Sequence, residues 1–422
     1  MRKFYVFIAT TLLANMAFGQ SIDDIQKYVM LRQFKPAKEA VDKFLAVEKN
    51  TKNAPAWYYK GFIYDLTSKD SGQSTSEVGA LKNTSFDAMK KYFELDPKAP
   101  LSIEEKNSIL FDLYVGFSTE LGVKEYTAKN YDAAYGYFQK ALEVHDFIYS
   151  KSLTGENNYK FSSLDTTLTI YTAITANDSK KKDEAAMYYK KLTDANVTDP
   201  QYIDAYQYLG EYYKTKKDAA NFAAVLEKGK KYYPKNSDYW TLLEIEEATD
   251  GVAKPQVFDK YDMLLAKYPD NYVLAYNYGV ELYRYIYSDE MKTANTSAYK
   301  AKLPVILKKA IAIKSTSEAN FLLANFLYNN SIDLSEESRK ITGTKPADTK
   351  TKKDLSAAST AAMNESIPYA EKVVTLYPAI EKPKSTEKIN YRQTLVMLKD
   401  MYDLKKDTAK SAEYDAKLKG IK

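Results

Sequence analysis

The chain has 422 residues, of which 45% are apolar and 28% charged, and its formal net charge is +5. This is the composition of a folded chain that is neither disordered nor embedded in a membrane, and its length predicts about two to four domains. The absence of cysteine and the single histidine, His145, exclude disulfides, thiolate metal sites and histidine-based metal clusters. The nearly balanced charge and the scarcity of arginine disfavour a nucleic-acid partner.

Residues 1–19 have the pattern of a secretory signal peptide. Arg2 and Lys3 form a basic start, a mostly apolar run follows, and Ala17-Phe18-Gly19 places small residues where signal peptidase cleaves. We expect cleavage before Gln20 and export to the periplasm or the medium. The apolar run is too short for a stable membrane anchor, and no later run predicts a membrane span. Because the sequence has no cysteine, we expect a soluble chain without a lipid anchor.

After the signal, apolar residues recur at spacings of three and four, and no alternating strand pattern appears. The chain is therefore predicted to be all-α. An internal period is also visible. Gly210 and Gly279 are 69 residues apart, which is two periods of 34 plus one, and Pro234 and Pro269 are 35 residues apart.

Each period carries small and aromatic markers in a fixed order. Gly122 is followed after 12, 16 and 19 residues by Ala134, Phe138 and Ala141. Glycine inside a helix costs about 1 kcal/mol relative to alanine, so its recurrence predicts close contact with a neighbouring helix. These spacings resemble the tetratricopeptide repeat, a helix–turn–helix unit of about 34 residues. The resemblance covers most of residues 22–422 and implies an all-α, right-handed helical-repeat solenoid of stacked tetratricopeptide units.

Polar stretches divide the predicted repeats. Thr67–Glu77, Ser288–Ser297 and Ser331–Asp354 are predicted as insertions between first and second helices, the last of them mobile or partly helical. The predicted organisation is a signal peptide at 1–19, N-terminal repeats at 20–145, an insertion at 146–163, central repeats at 164–330, a polar insertion at 331–354, and a C-terminal repeat with capping helices at 355–422.

No catalytic or phosphate-binding motif appears in the sequence. A glycine-rich phosphate loop, a Gly-x-Ser-x-Gly elbow and an EF-hand are all absent from it. His145, at the end of a predicted helix, is interpreted as structural. We therefore predict no catalytic residue, no cofactor, no metal site and no enzymatic activity.

The 39 tyrosines allow two interpretations. They fill gaps between helices, or they form a surface that a partner buries. The resemblance implies that the first helix of each repeat lines a concave groove. A stripe at i, i+4 and i+7 on those helices gives the candidate partner-binding residues: Tyr58, Phe62, Tyr126, Glu211, Lys214, Tyr276, Tyr283, Leu322, Phe326 and Asn329.

Some members of the family clamp a peptide carboxylate with an asparagine directly after the glycine. Here that position holds Phe62, Val123, Glu211 or Val280, so the clamp is not predicted.

The resemblance implies a non-enzymatic scaffold or assembly module of the cell envelope that binds another protein or a peptide. The alternative is a periplasmic carbohydrate-binding protein that uses tyrosines as platforms. The lysine-rich, arginine-poor chain and its Phe-Gly-Gln cleavage site resemble exported proteins of Bacteroidota-type bacteria. Glycan binders of that group with helical repeats usually carry a lipid anchor, and the missing cysteine argues against one here.

Overall fold

The computed structural model describes residues 21–288 and 296–421. Every regular element in these ranges is a helix, which confirms the predicted all-α fold class. The predicted signal peptide and residues 289–295 of one predicted insertion lie outside the described residues. The chain divides into two compact units, Met1–Tyr232 and Tyr233–Lys422, which we call the N-terminal unit and the C-terminal unit.

The N-terminal unit consists of helix pairs joined by short turns. Its elements are α1 Ile22–Met30, α2 Phe34–Leu45, α3 Ala54–Thr67, α4 Thr75–Leu95, α5 Pro100–Glu104, α6 Ser108–Val115, a π-helical segment Gly116–Val123, α7 Lys124–Thr127, α8 Tyr131–Ser150, α9 Thr166–Asp178, α10 Lys182–Asp194, α11 Ile203–Lys216 and α12 Ala219–Tyr232, with short 3₁₀ turns at Glu48–Lys52, Glu156–Asn158 and Pro200–Tyr202.

The C-terminal unit also consists of helix pairs. Its elements are α13 Ser237–Thr249, α14 Lys254–Lys267, α15 Tyr272–Ile286, α16 Thr296–Ile313, α17 Ser317–Lys340, α18 Pro346–Leu376, α19 Ser385–Leu404 and α20 Thr408–Lys419, with 3₁₀ turns at Pro234–Asn236 and Tyr377–Ala379. One apolar core of this unit surrounds Tyr278 and Leu307, and another surrounds Leu398 and Met401.

Within each pair we call the earlier helix the first helix and the later one the second helix. The first helices are α1, α3, α9, α11, α13, α15, α17 and α19. In one further pair, α6, the π-helical segment and α7 together form the first helix. Several first helices begin with the same cap, in which a side-chain oxygen accepts the backbone N–H three residues further on. The capping residues are Ser21, Asn53, Asp165, Asn271 and Thr316. Such a cap contributes about 1 kcal/mol, which explains why the first helices begin where they do.

Glycines mark the contact inside several pairs, as the repeat pattern predicts. A Cβ atom at Gly61 would lie 2.7 Å from Met89 Sδ, and one at Gly122 would lie 2.5 Å from Phe138 Cε1. Gly279 faces Leu307 in the same way. In each case the first helix lies so close to the second that a larger residue would force a neighbouring side chain to shift, so the glycines serve packing.

The polar stretch 331–354 is helical except for residues 341–345, because α17 and α18 both extend into it. Serines rather than large apolar residues join the two helices there. Ser338 Oγ donates to Lys352 O at 3.0 Å, and Ser359 Oγ donates to Ser331 O at 2.7 Å. This stretch is therefore a helical hairpin held by side-chain-to-backbone hydrogen bonds.

Within residues 21–288 and 296–421, none of the helices combines the length and the apolar character that a bilayer crossing requires.

Candidate functional site

In the C-terminal unit, first helix α15 presents four tyrosines at spacings that place them on one side of the helix. Tyr272 and Tyr276 stack with ring centroids 5.7 Å apart, and Tyr283 and Tyr287 lie 4.7 Å apart. Tyr287 is 43% exposed, and the other three side chains are half-buried. We call these four residues the α15 tyrosine face. The face is a partly exposed aromatic surface whose rings are held in place by contacts with one another.

The next first helix, α17, packs along the α15 tyrosine face through polar contacts. Asn325 Nδ2 donates to Tyr283 Oη at 2.9 Å, and the Tyr272 hydroxyl lies 2.7 Å from Thr316 Oγ1. Asn329 Nδ2 donates to Asn325 Oδ1 at 3.3 Å. Two amide side chains therefore lie beside the aromatic rings, and amides both donate and accept hydrogen bonds.

Burial keeps the hydroxyls of this face protonated. Burial, together with neighbouring Tyr272 and Glu318, raises the pKa of Tyr276 to about 12. Burial also raises the pKa of Tyr283 and of Tyr287. At neutral pH these tyrosines are uncharged hydrogen-bonding groups with an apolar ring.

The structure brings four of the predicted residues together in this region: Tyr276, Tyr283, Leu322 and Asn329, all half-buried. Phe326 lies on the same helix as the last two but is only 2% exposed, inside the core around Tyr278 and Leu307. It therefore offers a partner little surface.

In the N-terminal unit the predicted residues are dispersed. Tyr58 is 5% exposed and packs against Tyr59, Phe62 and Tyr92, so it belongs to the interior. Phe62 is half-buried, as is Tyr126. Glu211 and Lys214 form an ion pair at 2.7 Å on α11.

The N-terminal unit also contains a cleft of about 420 Å³ beside Glu211. Tyr212 donates to Asp183 Oδ1 at 2.9 Å, and Lys216 Nζ lies 2.8 Å from the same atom. The Lys216 and Tyr212 hydrogen bonds lower the pKa of Asp183. Tyr208 stacks parallel to Tyr212 on the wall of the cleft. The stripe predicted from the sequence includes Glu211 but neither of the two tyrosines, although their spacing of four is visible in the sequence.

Nowhere in residues 21–288 and 296–421 do three or more His, Asp or Glu side chains gather in a way that could hold a metal ion. His145 is 1% exposed, its Nδ1 lies 2.9 Å from Asp146, and its ring packs 4.8 Å from Phe161. These contacts agree with a structural role for the histidine.

No family model matches the chain, and no curated protein matches it. Solved structures with similar helical arrangements include the TPR domain of P58(IPK), which is 11% identical and has a TM-score of 0.26 over 90% of this chain and 97% of that one. Naa15/Naa10 bound to HypK-THB is 14% identical with a TM-score of 0.27 over 94% and 62% of the two chains. The APC/C hetero-tetramer Cut9-Hcn1 is 12% identical with a TM-score of 0.19 over 93% and 85%. At these TM-scores the superpositions say nothing about function.

Proposed function

We propose that this chain is a non-enzymatic scaffold or assembly module of the cell envelope that binds a protein or peptide partner along the first helices of its repeats. The observation that carries the proposal is the α15 tyrosine face. Tyrosine is enriched among residues that dominate binding energy, because a large ring is buried while its hydroxyl finds a hydrogen-bond partner.

The geometry of the face favours binding because the rings are held before a partner arrives. Tyr283 accepts a hydrogen bond from Asn325, and Tyr272 contacts Thr316 through its hydroxyl. Each immobilised side chain costs about 0.5–1.5 kcal/mol when a complex forms, and rings that are already ordered avoid part of that cost.

Other first helices also expose large apolar side chains. Val115 is 48% exposed, Tyr171 40% and Leu242 41%, and they lie on α6, α9 and α13. Apolar side chains exposed singly are common, so these residues support the proposal only together with the tyrosine face.

The proposed location in the envelope depends on residues 1–19. N-terminal sequencing of the protein recovered from the exported fraction should begin at Gln20. A protein that retains Met1 in the cytoplasm would contradict the location without affecting the proposed binding face.

The binding proposal is tested by capture from envelope extract with the mature chain as bait. The variant with Tyr276→Ala and Tyr283→Ala should bind the captured partner about tenfold less tightly or worse, as expected for loss of a hot spot. Met263→Ala is the matched control, because Met263 is 67% exposed on second helix α14. If the double variant binds normally and melts several degrees lower, the tyrosines serve packing alone.

A carbohydrate ligand gives a different result in the same assay. The wild-type chain would then capture glycan-bearing material of mixed protein content, and soluble oligosaccharides would displace it. No single protein would be enriched by the wild-type chain over the double variant.

A further inference from the structure

Charge is unevenly distributed among the helices of the C-terminal unit, most clearly on α13, α16 and α17. First helix α13 carries four acidic residues and no basic one, and α17 carries four acidic residues before its first basic residue, Arg339. Second helix α16 carries four lysines and no acidic residue. The acidic residues are Asp238, Glu244, Glu246 and Glu247 on α13 and Glu318, Asp333, Glu336 and Glu337 on α17. Helices α13 and α17 are therefore negative relative to α16.

Two of these acids flank the α15 tyrosine face. Glu318 lies close enough to Tyr272 and Tyr276 for its charge to act on both rings. Asp333 acts on Tyr287 at the opposite end of the face and pairs with Lys300 at 3.3 Å. A carboxylate thus stands at each end of a row of aromatic rings.

Besides Lys300, which pairs with Asp333, two further cations of the chain lie near the same face. Arg284 pairs with Glu281 at 3.2 Å, and Lys314 Nζ lies over the Tyr272 ring at 5.6 Å. The contact of Lys314 with Tyr272 shows that a ring of this face can pack against an ammonium group. Aromatic rings attract cations through the negative charge of their faces, and nearby carboxylates strengthen that attraction.

We propose that the partner segment on the α15 tyrosine face is a basic peptide, whose arginine or lysine side chains lie against the tyrosine rings between Glu318 and Asp333. This inference rests on the proposed function and adds the chemistry of the partner. The face runs from Tyr272 to Tyr287, the residue that follows α15, and these 15 steps along the helix axis give a length of about 22 Å. An extended peptide rises about 3.3 Å per residue, so about seven residues span the face.

Isothermal titration of the mature full-length chain with synthetic peptides tests the charge of the partner. The probes are an alternating arginine–alanine peptide of about ten residues and the same peptide with glutamate in place of arginine. The arginine peptide should bind at least about tenfold more tightly, and its affinity should fall as NaCl is raised from about 50 to about 500 mM. Equal binding of the glutamate peptide would overturn the proposal.

Two variants that remove equal charge locate the site. Glu318→Gln with Asp333→Asn should weaken the arginine peptide by about tenfold, because both flanking carboxylates are lost. Asp259→Asn with Glu413→Gln removes two carboxylates from second helices α14 and α20 and should change affinity by less than about twofold. Equal weakening by both pairs would mean that only net charge matters, which would overturn the assigned site.

Failure of this inference can be told from failure of the proposed function. If the arginine peptide does not bind at about 1 mM, the basic partner is wrong. Loss of partner capture in the Tyr276→Ala, Tyr283→Ala variant would still support the binding face in that case.

Discussion

Gly122 lies directly against the ring of Phe138, so that a Cβ atom on the glycine would lie 2.5 Å from Cε1 and 2.7 Å from Cδ1 of the ring. The backbone oxygen of Phe117 would lie 2.9 Å from the same atom. Neither the ring nor the backbone shifts easily. We therefore expect Gly122→Ala to lower the free energy of unfolding by about 1–3 kcal/mol, measured by urea denaturation.

Gly136 provides the matched control on α8. No heavy atom outside its own helical backbone and chain neighbours lies within 4 Å of an added Cβ there. Gly136→Ala should stabilise the protein by up to about 1 kcal/mol, because alanine is the better helix former. A Gly122→Ala variant that is stabilised as much as Gly136→Ala would refute the packing role of Gly122.

These glycines illustrate what the sequence predicts well. A glycine inside a helix costs stability, and Gly61, Gly122 and Gly279 each lie against a side chain of the second helix, so their recurrence indicates the repeat and its helix pairs. Gly136 has no such neighbour, so one helical glycine alone does not indicate a contact. The helical hairpin in 331–354 was less predictable, because serine-to-backbone hydrogen bonds replace the apolar period there. The π-helical segment Gly116–Val123 has no signature of its own in the sequence.

Lys82 is fully buried beside Asp65, which is 3% exposed. Its Nζ lies 3.6 Å from Asp65 Oδ1 and 3.5 Å from Glu120 Oε2, and burial raises the pKa of Asp65 despite the neighbouring lysines. Asp65→Asn should cost about 3 kcal/mol in unfolding free energy, because the buried Lys82 then keeps only its contact with Glu120, whose side chain is 53% exposed.

The second substitution Lys82→Met should recover more than half of that loss, since an apolar side chain of similar size removes the stranded charge. A double-mutant cycle measures this coupling by denaturation. If the two effects simply add, the buried pair does not act as a unit.

The carboxylate of Glu371 joins the last helix pair to α18. It accepts hydrogen bonds from Tyr402 Oη at 2.8 Å, Tyr414 Oη at 3.1 Å and Lys410 Nζ at 3.2 Å. Partial burial acts to raise the pKa of Glu371, but these hydrogen bonds outweigh it and lower the pKa below the ordinary 4.5. Glu371→Gln should cost about 1 kcal/mol at neutral pH, because amide contacts are weaker than those of the charged group.

The pH dependence of that cost follows from the direction of the shift. A lowered pKa stabilises the folded state above pH 4.5, and this contribution disappears as the pH falls through the folded-state pKa. Denaturation at pH 7 and at about pH 3 should therefore show the wild type and Glu371→Gln converging. Glu413→Gln, an exposed change on α20, should stay within about 0.5 kcal/mol of the wild type. A Glu371→Gln difference that does not change with pH would contradict the assignment.

The binding surface was harder to predict than the helices. Successive side chains along a helix point about 100° apart. An error of one residue in placing the stripe therefore exchanges core residues for surface residues. Tyr58 and Phe326 lie in the core for this reason, and Tyr212 lies one residue beyond the predicted Glu211. Contacts between neighbouring first helices, such as Asn325 with Tyr283, depend on stacking that a single repeat does not reveal.

Site-specific photo-crosslinking tests the central claim most directly, because it reports which face touches the partner without removing a binding group. A photoreactive phenylalanine analogue replaces Tyr287, 43% exposed on the α15 tyrosine face, or Val305, 64% exposed on second helix α16. Both chains are illuminated with the captured partner, and the adducts are identified by mass spectrometry. We expect a partner adduct from position 287 and none from position 305. An adduct from position 305 with none from position 287 would contradict binding along the first helices.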